Sequence, residues 1–96
     1  MPAFQVHAEI RDAQPVEATD ERVDRFLHHL RRGGGSLSIT EDGTTYGATM
    51  WIRAQSRETA LSRGARRFIK AARRAGFTDG IWITAEAAPW EIAIQG

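Results

Sequence analysis

The hydrophobic pattern of this chain predicts one α+β domain with the element order strand–helix–strand–strand–helix–strand. Three observations carry that expectation. The first residues alternate apolar and polar, two later segments repeat their apolar residues at helical spacing, and an Asp-Gly turn separates two short alternating runs.

Phe4, Val6, Ala8 and Ile10 alternate with Gln5, His7, Glu9 and Arg11, the period of a strand with one buried face. Pro15 closes that strand. Thr19 or Asp20 caps a helix expected to run to about Arg32, with acids in its first turn and arginines in its last. Val23, Phe26, Leu27 and Leu30 form its apolar stripe. Gly33-Gly34-Gly35 follows a helix C-terminus, whereas phosphate cradles lie at N-termini, so the run reads as a helix exit. Ser36 to Thr40 and Thr45 to Arg53 read as a hairpin around Asp42-Gly43.

Ser56 caps a second helix that runs to about Ala75 and stops at Gly76. Asp79-Gly80 turns into a strand from Ile81 to Glu86. Residues 88–96 form a tail, where Trp90, Ile92 and Ile94 alternate with Glu91, Ala93 and Gln95 as an extra C-terminal strand or an extended arm. The sum is a split-βαβ, ferredoxin-like sandwich, with sheet order 4-1-3-2 and both helices on one face.

A chain of 96 residues is expected to be one domain with a thin core, which self-association would supplement. There is no cysteine, which excludes disulfides, thiolate metal sites and cysteine nucleophiles. Met1-Pro2-Ala3-Phe4 offers no secretory leader and no apolar run is long enough for a bilayer, so a cytoplasmic protein is expected. Twelve arginines to one lysine, with abundant alanine, point to a high-GC genome such as that of an actinobacterium or one of its phages.

Charge is distributed unevenly. Residues 1–24 carry six acids against Arg11 and Arg22, a balance of −4. Residues 53–74 carry eight cations against Glu58, a balance of +7. On the second helix, Ala60, Leu61, Gly64, Ala65, Phe68, Ile69 and Ala72 share one half of the wheel. Arg63, Arg66, Arg67, Lys70, Arg73 and Arg74 fall within about 120° on the other. A solvated face partly neutralised by acids of the first helix would account for this stripe. A phosphate-backbone site would account for it too, since six like charges on one rigid stripe repel until an anion joins them.

The sheet face away from the helices is the second candidate. It is expected to carry Gln5, His7, Thr49, Trp51, Arg53, Trp82 and Thr84, with Trp82, His7 and Trp51 side by side across three strands. A tryptophan can bury roughly 150–250 Å², so this face is expected to be covered by the tail, a second copy or a ligand.

RNA-recognition domains share this topology and stack bases on aromatics of strands 1 and 3. Tyr46-Gly47-Ala48-Thr49-Met50-Trp51 resembles their strand-3 motif but lacks its basic residue and repeated aromatics, and His7 stands where strand 1 should be aromatic. Dimeric ferredoxin-like proteins, including cofactor-free monooxygenases and stress-response dimers, close two such sheets face to face. The chain is similar to them in topology alone.

His28 and His29 are adjacent and point about 100° apart on a helix, so they do not converge on one metal ion. Neither a metal nor a cofactor is expected. No serine, histidine and aspartate are spaced as a triad, and His7 between two tryptophans is the lone candidate for a general base. The preferred expectation is a non-enzymatic module that self-associates as a homodimer, or docks another protein, through His7, Trp51, Arg53 and Trp82. The second is a nucleic-acid-binding accessory protein that uses the basic helix. The third is a small enzyme or ligand binder with a pocket on the sheet face.

Overall fold

The computed structural model describes residues 2–11, 14–15, 17–30, 35–77 and 82–89. β1 (Ala3–Arg11), α1 (Asp20–Leu30), β2 (Gly35–Ile39), β3 (Tyr46–Arg53), α2 (Arg57–Arg74) and β4 (Trp82–Pro89) follow one another in the expected order. The strands form one antiparallel sheet, β2-β3-β1-β4, the ferredoxin-like arrangement. No helix among the described residues is long and apolar enough to cross a membrane.

Alternation along β1 buries Phe4, Val6, Ala8 and Ile10, and along β3 it buries Tyr46, Ala48, Met50 and Ile52. The helices cover that face. Phe26 of α1 meets Tyr46, Phe68 and Phe77 at ring-centroid distances of 6.0, 5.7 and 5.2 Å. These rings join the two helices to the sheet, and full burial of each stabilises the fold by about 1.5–3 kcal/mol.

Side chains satisfy the starts of both helices, and backbone bonds satisfy the end of α2. Thr19 Oγ1 accepts from Arg22 N at 3.3 Å, and Ser56 Oγ accepts from Thr59 N at 3.2 Å. At the end of α2, Phe77 N donates to Ala72 O at 2.9 Å and Gly76 N to Arg73 O at 3.1 Å. Gly76 has φ 87°, a left-handed conformation that glycine adopts without steric cost. The same turn delivers Phe77 into the core.

Three expectations are corrected. Leu27 is exposed, because the buried centre of α1 is Phe26 and Leu30, and Leu27 stands about 100° around the helix from Phe26. Strand β4 does not end at Glu86 but continues to Pro89, pairing Ala87, Ala88 and Pro89 with Val6, Gln5 and Phe4. An edge strand tolerates the missing proline N–H. The hairpin strands each begin or end one residue from their expected bounds, at Gly35–Ile39 and Tyr46–Arg53. The expected helix end at Arg32, the glycines at 33 and 34, Asp79-Gly80, Ile81 and the tail from Trp90 lie outside the described residues.

Candidate nucleic-acid interface

The outer surface of α2 follows from its amphipathic sequence. Ala60, Gly64, Phe68, Ala71 and Ala72 are buried against the sheet and α1, which turns the basic residues outward. The stripe from Arg63 to Arg74 spans about 16 Å at 1.5 Å per residue. Its members differ in what they meet. Arg63 donates from Nη1 to the carbonyl of Arg53 at 3.0 Å, tying the first turns of α2 to the end of β3. Arg66, Ile69, Lys70, Arg73 and Arg74 line a shallow depression of about 430 Å³ on one flank.

On the other flank, α2 faces α1 across a second depression of about 390 Å³, lined by His28, His29, Arg67, Lys70, Ala71 and Arg74. The two imidazoles were not expected here. They come from the last turn of α1, their ring centroids 5.5 Å apart and their planes at 76°. His29 is half-buried, and its pKa lies below the ordinary imidazole value. Partial desolvation is the first cause, followed by the positive charges of Arg74, His28, Arg25 and Lys70. The sequence signal for this pair was their place immediately before Leu30, the buried end of α1, at two and one residues from it.

Among the described residues, no ion pair joins an acid of α1 to the stripe. Glu21 accepts from Arg25 at 3.1 Å on its own helix, and the Arg11–Glu9 pair, also 3.1 Å, lies on β1. Among the described residues, Arg66, Arg67, Lys70 and Arg74 make no hydrogen bond or ion pair.

The open sheet face is built differently from the expectation. Trp51 pairs in register with Gln5, whereas Trp82 stands opposite Arg11. Those positions are six residues apart along β1, about 20 Å at 3.3 Å per residue. His7 lies between Thr49 and Glu86, with Nδ1 3.1 Å from Thr49 Oγ1. The expected row of Trp82, His7 and Trp51 is therefore absent, because antiparallel register places each residue by its distance from the strand ends. Ser36, Thr49, His7 and Glu86 cross the middle of this face, with half-buried Trp51 nearer one end and exposed Arg53 two residues further along. Tyr46, which opens the segment resembling an RNA-recognition strand, is buried under the helices rather than displayed on the open face.

Among the described residues, no group of three or more histidines and carboxylates is placed to hold a metal ion. Comparisons with protein-family models, curated proteins and solved structures return no match for this chain.

Proposed function

We propose that this protein is a non-enzymatic nucleic-acid-binding module that grips the phosphate backbone with the outer face of α2. The observation that carries the reading is the set Arg66, Arg67, Lys70 and Arg74 on one rigid helix, which make no hydrogen bond or ion pair among the described residues and which α1 meets with the imidazoles of His28 and His29. Guanidinium groups hold phosphate oxygens in a planar, bidentate geometry. A stripe of them along a helix suits a repeating anion better than an isolated one. The depression on this surface is lined by Ile69 and four cations, with no tryptophan or tyrosine to serve as an aromatic anchor for a protein partner.

Fluorescence anisotropy with a 20-base-pair DNA duplex tests the reading. Five phosphates neutralised by Arg66, Arg67, Lys70, Arg73 and Arg74 give a log–log salt slope of about −4.5. Binding weaker than millimolar at low salt, or binding unchanged by Arg66→Ala with Lys70→Ala, overturns it.

A second reading assigns the open sheet face to a second copy of the chain. It is favoured by Trp51, which remains half-exposed on a face that neither helix covers. Gln5 and Ala88, also half-buried, continue its row onto β1 and β4.

A further inference from the structure

We propose that the groove between α1 and α2 is a proton-linked phosphate subsite, in which His29, with His28 beside it, takes up a proton as a phosphate group enters. The inference rests on the nucleic-acid reading above and adds to it a second helix and a pH dependence.

The geometry begins with the groove itself. A depression of about 390 Å³ has space for a phosphate group, and its lining is nitrogen-rich: two imidazoles from α1, two guanidiniums and an ammonium from α2. Adjacent imidazoles splayed around a helix do not converge on a metal ion. They can both face one groove, however, and a phosphate presents several acceptor oxygens to separate donors. A neutral imidazole has one N–H to give; an imidazolium has two.

The charges around His29 favour its neutral form. On α1 these are Arg25, one turn earlier, and His28, itself one turn after Asp24; Glu21 is engaged with Arg25. On α2 they are Arg67, Lys70 and Arg74. β2, which packs against α1, contributes only Gly35 to Ile39, with no titrating side chain. The α2 wall of the groove is therefore cationic, and beside it a further positive charge on His29 is disfavoured until an anion enters. A phosphate reverses that balance. It makes the imidazolium the better partner, and by linkage the proton makes phosphate binding tighter.

The sign follows directly. The affinity gained from His29 is present at pH below its value in the complex and is lost as pH rises through that value. Binding to duplex DNA at constant ionic strength is expected to strengthen by roughly fivefold from pH 7.5 to pH 5.5 for one imidazole whose proton affinity rises about tenfold on binding.

The chain has three histidines, so an NMR pH titration of their ring protons, with and without saturating 12-base-pair duplex DNA, reads the site directly. His7, across the sheet from the groove, is the internal reference. The expected result is a rise in the proton affinity of His29 of about tenfold, a smaller rise at His28, no change at His7, and loss of the pH dependence of binding in His28→Gln/His29→Gln. DNA binding with His29 unmoved, or with all three histidines moved equally, overturns the subsite and leaves the α2 reading standing. No binding at either pH overturns the α2 reading, and the subsite with it.

Discussion

Gly64 of α2 lies directly on Val6 of β1, where a Cβ added to the glycine would stand 2.9 Å from the valine Cβ and closer still to its Cγ1. Contact that close sets the height of α2 over the sheet, and with it the position of the basic stripe. Alanine at 64 would favour the helix by about 1 kcal/mol through propensity alone. The clash with Val6 reverses the sign, and Gly64→Ala is expected to destabilise the fold by about 1–3 kcal/mol. Urea unfolding checks this. Val6→Ala should recover part of the loss, so the double variant is more stable than the two single effects added together.

The hairpin turn has its own pH dependence. Asp42 Oδ1 accepts from Thr40 Oγ1 at 2.7 Å, Thr44 Oγ1 at 2.8 Å and Thr44 N at 3.1 Å. These bonds favour the carboxylate and hold its pKa below the usual 3.8, the bond from Thr40 first among them. Asp42 thus contributes stability that is present above the unfolded value and lost as pH falls through the folded one. Asp42→Ala is expected to lower the melting temperature at pH 7. The difference from the parent should narrow in thermal scans as pH falls below the usual 3.8.

Arg63 belongs to the stripe by sequence but to the scaffold by structure. Its bond to the Arg53 carbonyl contributes about 0.5–1.5 kcal/mol to the fold. Arg63→Ala should therefore reduce stability while changing DNA affinity less than either Arg66→Ala or Lys70→Ala does. Parallel anisotropy and unfolding measurements separate the two effects. A larger affinity loss at Arg63 than at Arg66 would return it to the interface.

Trp51 distinguishes the two functional readings. It lies on the sheet face that points away from α2, so Trp51→Glu is expected to leave DNA affinity within about twofold of the parent under the charge-driven reading. Sedimentation equilibrium of the same variant tests the second reading. A parent dimer that becomes a monomer on Trp51→Glu supports pairing through the open face, and a parent that is monomeric at high micromolar concentration removes it.

The elements of this fold were legible because each depends on local chemistry. Alternation at Phe4, Val6, Ala8 and Ile10 marks a strand wherever that strand goes, and Ser56 and Gly76 mark the ends of α2 through their own backbone needs. Periodicity likewise puts Arg66, Arg67, Lys70, Arg73 and Arg74 on the side of α2 opposite its apolar residues. Register and the flank on which one helix meets another are different in kind, because they depend on elements far apart in the chain. Only the ladder placed Trp51 opposite Gln5 and Trp82 opposite Arg11, dissolving the expected aromatic row. Only the packing of α1 on α2 brought His28 and His29 to Arg67, Lys70 and Arg74. A helical wheel gives the angle of a side chain about its own axis, but not the neighbour that the fold sets on that side.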